Sequence, residues 1–232
     1  MGKFSAEVAA AKIKGVIDKK GVARVVFASA PSQSEFLTHL INDKTIDWSQ
    51  VVGFHMDEYI GLPVDSDQWF RIYLEEHLVN KIKLKVFHFI DGTKPWEEMK
   101  ETYENLLMEA QIDIVCLGVG ENGHIAFNDP PVADFNDPEL VKKVVLDPYS
   151  RQQQVNDGCF AHLDEVPTHA LSLTIPALTN SQSMICTVPG PTKKEAVYKV
   201  LHDAISTACP ATILRKHKDA YLILDKETYG GL

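Results

Sequence analysis

Residues 112–124 constrain this chain more than any other stretch. Ile112-Asp113-Ile114-Val115-Cys116 is a short, mostly apolar run of the kind that makes a buried strand, and it breaks into Leu117-Gly118-Val119-Gly120-Glu121-Asn122-Gly123-His124. Glycines at 118, 120 and 123 let the backbone turn sharply and come close to a ligand. A histidine just past a strand's carboxyl end stands where open α/β sheets bind ligands, and Asp129 follows five residues later. Gly-x-Gly-x-x-Gly also marks dinucleotide sites, but those continue into a long helix and place an acid about 20 residues on. Here Asn128-Asp129-Pro130-Pro131 stops any helix early. The loop is therefore read as an acid–base site, with a structural or solvated histidine as the plainer alternative.

The rest of the chain alternates. Periodicity and turn residues predict helices over 5–19, 35–41, 67–80, 95–110, 176–179 and 195–202. They predict strands over 22–28, 51–56, 85–90, 112–116, 141–146, 168–174, 183–188, 211–214 and 220–224. Strands alternating with helices imply an α/β fold: a doubly wound, mainly parallel sheet with helices on both faces, Rossmann-like. A length of 232 residues with 45% hydrophobic content supports a sizeable core, and no repeat, low-complexity tract or linker divides it, so a single domain over 1–232 is expected.

Charge narrows the partners. A net charge of −9 argues against nucleic acid or an anionic membrane surface, while leaving room for a local cationic pocket and a small anionic substrate. The amino terminus has no apolar signal core and no run is long enough to span a bilayer, so a cytoplasmic protein is expected. Cys116, Cys159, Cys186 and Cys209 form no Cys-x-x-Cys; buried free thiols are expected for Cys116 and Cys186, which lie in strand-like runs. No cofactor motif and no metal-ligand spacing stands out, and neither is expected.

Three more features follow strands. Ser29-Ala30-Pro31-Ser32-Gln33-Ser34 joins a strand to a helix, where hydroxyls and free amides can cradle a phosphate, or where Ser32 or Ser34 simply caps the helix. Asp57-Glu58-Tyr59 puts two adjacent acids at a strand end; their side chains diverge, so one can face a cleft while the other is structural, unless both sit in a solvated loop. Pro189-Gly190-Pro191-Thr192-Lys193-Lys194 opens a helix and suits an anion with lysine as counter-charge, or is a surface lysine pair. In a doubly wound sheet these turns converge on one crevice. A carboxylate, a histidine and phosphate anchors together suggest proton transfer on a phosphorylated small molecule.

At this point the sequence resembles a known family. Phe54-His55-Met56-Asp57-Glu58-Tyr59-Ile60-Gly61-Leu62-Pro63 and Gly118-Val119-Gly120-Glu121-Asn122-Gly123-His124-Ile125-Ala126-Phe127-Asn128-Asp129-Pro130 look like the two signatures of glucosamine-6-phosphate deaminases (isomerases), which share a superfamily with 6-phosphogluconolactonases. The resemblance implies conversion of an amino-sugar 6-phosphate and water to fructose 6-phosphate and ammonia. It makes His124 the ring-opening acid–base group, Asp57 the base that moves a proton from C2 to C1, Asp129 the partner of the histidine and Glu58 a supporting acid. It makes Lys193 the phosphate-binding lysine, places Ser29 and Ser32 in the phosphate loop and counts Gly123 with the substrate-binding residues.

The chain departs from the family pattern in places. Asn122 stands where the family usually has Asp, and Asp129 where it has Glu. The usual glycine-containing phosphate loop is here Ser29-Ala30-Pro31-Ser32-Gln33, and Arg151 is the candidate for an active-site arginine that does not align cleanly. The galactosamine-6-phosphate branch also carries Asn-Gly-His, so either epimer fits. The lactonase reaction and a non-enzymatic sugar-phosphate sensor are the other readings. The chain ends soon after its last predicted strand, so the activation by N-acetylglucosamine 6-phosphate of the allosteric, hexameric members with a longer carboxyl terminus is not expected; a monomer or small homo-oligomer is expected.

Overall fold

The structure, a computed structural model, describes residues 1–230. The strands are β1 (Ala23–Phe27), β2 (Val51–His55), β3 (Asp57–Tyr59), β4 (Val86–His88), β5 (Ile114–Leu117), β6 (Val141–Val145), β7 (His169–Leu173), β8 (Ser183–Val188) and β9 (Ala220–Leu224). The helices are α1 (Gly2–Lys20), α2 (Ser34–Ile41), α3 (Phe70–His77), α4 (Trp96–Met108), α5 (Pro148–Asn156), α6 (Ile175–Thr179), α7 (Lys194–His202) and α8 (Lys226–Tyr229). Six strands pair in parallel in the order β4-β2-β1-β5-β8-β9. The expected doubly wound α/β fold is present.

The sheet's centre reads as it does because it is covered twice. Every residue of β1, β5 and β8 is buried, so these strands are near-continuous apolar runs with no alternation to water. Their side chains alternate between two cores instead. Val25, Phe27, Ile114 and Cys116 pack with Ile13 of α1 and Phe36 and Leu40 of α2. Val26, Val115 and Leu117 pack with Tyr103 and Leu107 of α4 and Val197 and Val200 of α7. Cys116, Cys186 and Cys209 are buried free thiols, and Cys159 is partly exposed.

Strand order also fixes where a ligand can go. From β1 the chain builds outward through β2 and β4; from β5 it builds the other way through β8 and β9. The direction reverses between β1 and β5, the place where such sheets leave a crevice beyond the strand ends.

The structure differs most from the sequence reading in three places. Asp57-Glu58-Tyr59 is not a loop: it forms β3 of a second, antiparallel sheet ordered β3-β7-β6, with Asp57 opposite Ser172. All three residues are buried, and a buried backbone must find partners. Ala211–Leu214 is not a strand but part of a tight helical turn, Pro210–Lys216, opened by Pro210. A short buried apolar run fits either state by periodicity. The polar run 150–154 is helical, inside α5; Pro148 sits in its first turn and Asp147 caps it by accepting from Tyr149 N.

Candidate active site

A cleft of about 370 Å³ opens at the carboxyl ends of β1, β5 and β8. Ser29, Ser32, Asp57, His124 and Lys193 all line it. The turns after three neighbouring strands thus deliver a hydroxyl pair, a histidine and an ammonium to one place, and β3 adds the carboxylate.

The imidazole of His124 is held by the glycine loop and by α5. Nδ1 lies 2.8 Å from Asn122 Oδ1, 3.0 Å from Asp129 Oδ1 and 3.1 Å from Ser150 Oγ. Asp129 is an acceptor, so Nδ1 carries the proton and donates, which leaves Nε2 with the lone pair. Asn122 Nδ2 donates to Asp129 Oδ1 at 2.9 Å, and Ser150 Oγ donates to the same oxygen. Burial would raise the Asp129 carboxyl, but the bonds from His124, Asn122 and Ser150 outweigh it and hold it below its ordinary value. Asp129 is therefore a fixed anion behind the ring, suited to stabilising a positive imidazolium.

Glycine is required at two positions. A Cβ on Gly120 would fall 2.1 Å from the His124 ring, so the imidazole lies directly on this backbone. Gly123 has φ 84°, and a Cβ there would sit 2.4 Å from Cys209 Sγ. Gly123 does not line the cleft; its carbonyl accepts from Ala211 N at 2.8 Å and ties the loop to the turn at 210–216. Ala126, which does line the cleft, takes a left-handed φ of 48°. That conformation is strained for alanine. Asn128 stabilises it by donating Nδ2 to the carbonyls of Ile125 and Leu173.

The two adjacent acids do diverge. Asp57 faces the cleft, and burial pushes its carboxyl up to about 7. Glu58 points away and does not line the cleft. It accepts from the N–H groups of Tyr59, Phe70 and Arg71 at 2.8, 3.1 and 2.9 Å, closing the amino end of α3. Burial pushes Glu58 up to about 8, against the pull of those three bonds. It positions β3, and with it Asp57, against α3.

The far end of the cleft suits an anion. Lys193 is buried, and its Nζ has no hydrogen-bond partner; the nearest acid, Glu121, is 3.6 Å away. Burial lowers its pKa. An ammonium with unspent donors gains a great deal from an anionic ligand. Ser32 and Gln33, in the turn that opens α2, also line the cleft, and Gln33 Nε2 donates to Thr187 O at 3.2 Å, tying that turn to the end of β8. Ser29 Oγ is 3.4 Å from His55 Nε2. His55 is fully buried, and burial lowers its pKa to about 3, so it stays neutral.

Sequence reasoning missed Ser150 and Gln153. Ser150 joins the His124 network, and Gln153 lines the cleft while accepting from Glu121 N at 3.0 Å. Arg151, the proposed arginine, is placed elsewhere: its guanidinium donates to the carbonyls of Leu163 and Val166 at 2.6 and 2.7 Å, outside the cleft lining. On α5, Ser150 and Gln153 share the inward face and Arg151 does not. Among the described residues no group of three or more His, Cys, Asp and Glu side chains is gathered to hold a metal ion, and no helix is long and apolar enough to cross a membrane.

Comparison with known proteins places this geometry. Residues 2–223 match the family described as glucosamine-6-phosphate isomerases/6-phosphogluconolactonase. A glucosamine-6-phosphate deaminase of Clostridium acetobutylicum is 33% identical over 231 residues, covering 97% of this chain and 93% of that protein. One from Bacillus cytotoxicus is 30% identical, over 93% of this chain and 80% of its own length. Among solved structures, a monomeric glucosamine-6-phosphate deaminase matches with a TM-score of 0.88 at 26% identity, over 99% of this chain and 94% of that one. A 6-phosphogluconolactonase from Thermotoga maritima, at 24% identity over 97% of this chain and 95% of its own, matches with a TM-score of 0.77, a likeness of fold. The chain belongs to the glucosamine-6-phosphate isomerase/6-phosphogluconolactonase family, a family of enzymes.

Proposed function

We propose that this protein, as one catalytic domain, is an amino-sugar-phosphate deaminase/isomerase that converts glucosamine 6-phosphate and water to fructose 6-phosphate and ammonia. The observation that carries this reading is Asp57: a buried carboxylate, pushed up to about 7, in the same cleft as His124. A lactone hydrolase has no use for a base aimed at C2.

Each group has a task suited to its chemistry. Lys193 and the hydroxyl of Ser32 take the phosphate. His124 Nε2 accepts the proton of the C1 hydroxyl and passes a proton to the ring oxygen, which opens the pyranose; Asp129 stabilises the charged imidazolium between the two transfers. Asp57 removes the C2 proton to give an enolamine and returns a proton to C1. A carboxyl poised near neutrality is both a usable base and a usable acid. Water then hydrolyses the C2 imine and ammonia leaves.

The test is ammonia and fructose 6-phosphate formation by purified protein, with glucosamine 6-phosphate and galactosamine 6-phosphate run side by side. Turnover of one of them, lost in Asp57→Asn and in His124→Ala, supports the reading and fixes the epimer. Hydrolysis of 6-phosphogluconolactone that survives Asp57→Asn, with neither amino sugar consumed, contradicts it.

A further inference from the structure

A second cavity, of about 260 Å³, is lined by α3 and the residues leading into it, by the end of α5 and the residues after it, and by the turn at 29–31. None of Asp57, His124 and Lys193 lines it, so it stands apart from the substrate groups named above. Tyr59, Trp69, Phe70, Tyr73 and Phe160 give it aromatic walls. Their polar ends are spent or sealed. Trp69 Nε1 donates to Pro63 O at 2.8 Å, Tyr73 Oη lies 3.0 Å from Ser34 Oγ, and the Tyr59 hydroxyl is closed off by burial. Tyr59 and Trp69 are almost wholly buried, and the Arg71 guanidinium already lies over Trp69, 5.6 Å from its ring centre. The rings left to a ligand are Phe70 and Tyr73, both partly exposed, and Phe160. The charged residues of the cavity are Asp67 and Glu76, both exposed; among the described residues no Lys, Arg or His lines it. Asp67 Oδ1 accepts from the neighbouring Gln68 Nε2 at 2.9 Å, and neither carboxylate belongs to an ion pair among the described residues. Tyr73 and Glu76 are three apart on α3, so a ring and a carboxylate share one face of that helix.

We infer that the second cavity is a binding site for a small organic ammonium ion. The face of an aromatic ring is electron-rich and attracts a cation, most of all a weakly hydrated alkylammonium whose outer atoms are apolar. The walls match the alkyl groups of such an ion, and the two unpaired carboxylates match its charge. Other ligand classes fit less well. A metal ion needs several oxygens to replace its water, and the walls are carbon. An anion meets Asp67 and Glu76 as like charges, with no cation in the cavity to answer it. A neutral apolar molecule uses the rings and leaves the carboxylates idle. The net charge of −9 adds a long-range attraction for any cation. The inference goes beyond the deaminase reading and does not depend on it, since it uses neither the acid–base groups nor the lysine of that mechanism.

The experiment titrates choline, and separately its uncharged isostere 3,3-dimethyl-1-butanol, against the purified protein. Binding is followed by broadening of the ligand's methyl proton resonance. Native protein is expected to bind choline saturably and at least about tenfold more tightly than the isostere, the scale of a desolvated cation–π contact. The double variant Asp67→Asn/Glu76→Gln changes two exposed side chains and keeps the cavity's shape. It is expected to weaken choline at least about threefold, as the loss of two solvent-exposed charges should, and to leave the isostere unchanged. Cys159→Trp fills the cavity and is expected to abolish saturable binding; Ile72→Phe, which fills it from α3, has the same expected outcome. Circular dichroism shows which of these variants are folded. No saturable binding of choline, or equal affinity for the isostere, overturns the inference. So does choline binding that survives undiminished in the double variant or in a folded filling variant, because the ion would then sit elsewhere.

Discussion

Asn122 donates through Nδ2 to Asp129 Oδ1 at 2.9 Å while its own Oδ1 accepts from His124 Nδ1 at 2.8 Å. An amide meets both demands, having a donor on one side and an acceptor on the other. A carboxylate at 122 would face the Asp129 carboxylate at hydrogen-bond distance, and such a pair cannot both ionise without a large cost. The neutral residue at 122 and the short acid at 129 are one matched arrangement.

Asn122→Asp is therefore expected to lower kcat/KM at neutral pH, by about tenfold or more on the scale of a catalytic group moved by an ångström. The double variant Asn122→Asp/Asp129→Asn moves the charge and the amide to each other's places and is expected to recover part of that loss. Steady-state kinetics of the three proteins measure the coupling; additive losses would contradict a direct link between the two side chains.

Asp57 links activity to stability through pH. Its carboxyl has an ordinary value of 3.8 and is raised to about 7 in the folded protein. Folding takes up a proton between those values, so the buried charge costs stability that is absent below about pH 4 and fully present above about pH 7. Asp57→Asn should thus be more stable than the native protein at pH 8, by at most about 4 kcal/mol at roughly 1.4 kcal/mol per pKa unit, with the gap closing toward pH 4. Urea midpoints across that range check it. In the native protein kcat/KM should rise with pH through about 7, as the base ionises.

Lys193 holds its ammonium buried, without a hydrogen bond and with the Glu121 carboxylate 3.6 Å away. Lys193→Met is expected to raise KM at least about tenfold, the worth of one charged hydrogen bond, with a smaller change in kcat. Its thermal midpoint is expected to change little, because removing the buried ammonium relieves its desolvation cost while Glu121 loses its ion-pair partner. An unchanged KM would mean that the phosphate binds elsewhere.

Gly120→Ala places a methyl within 2.4 Å of three atoms of the His124 ring. The imidazole must move, and activity is expected to fall about a hundredfold or more, the scale of a misplaced catalytic group. Far-ultraviolet circular dichroism should be unchanged, which separates a displaced ring from a lost fold.

The strand ends that build the cleft were legible because parallel strands covered on both faces are apolar along their whole length, and β5 and β8 stop at glycines and prolines. The lysine turn and the histidine loop could be placed from that alone. β3 could not: three residues carry no period, and its partner β7 lies more than a hundred residues away. Without that pairing the divergence of Asp57 and Glu58 was visible in principle, but not which acid would face the cleft. Ser150 sits 26 positions from His124, in a polar run that looks solvated. The signal that it lies on a helix was Asp147-Pro148, a cap followed by a first-turn proline, which turns Ser150 and Gln153 inward and Arg151 toward the loop at 163–166.

The central claim, that Asp57 moves the C2 proton of an amino-sugar phosphate, is tested most directly with glucosamine 6-phosphate deuterated at C2. The account predicts that deuterium leaves C2, partly into solvent and partly to C1 of fructose 6-phosphate, with ammonia released, and that Asp57→Asn abolishes both. Deuterium retained at C2 while the protein consumes a phosphosugar, or exchange that proceeds unchanged in Asp57→Asn, would contradict it.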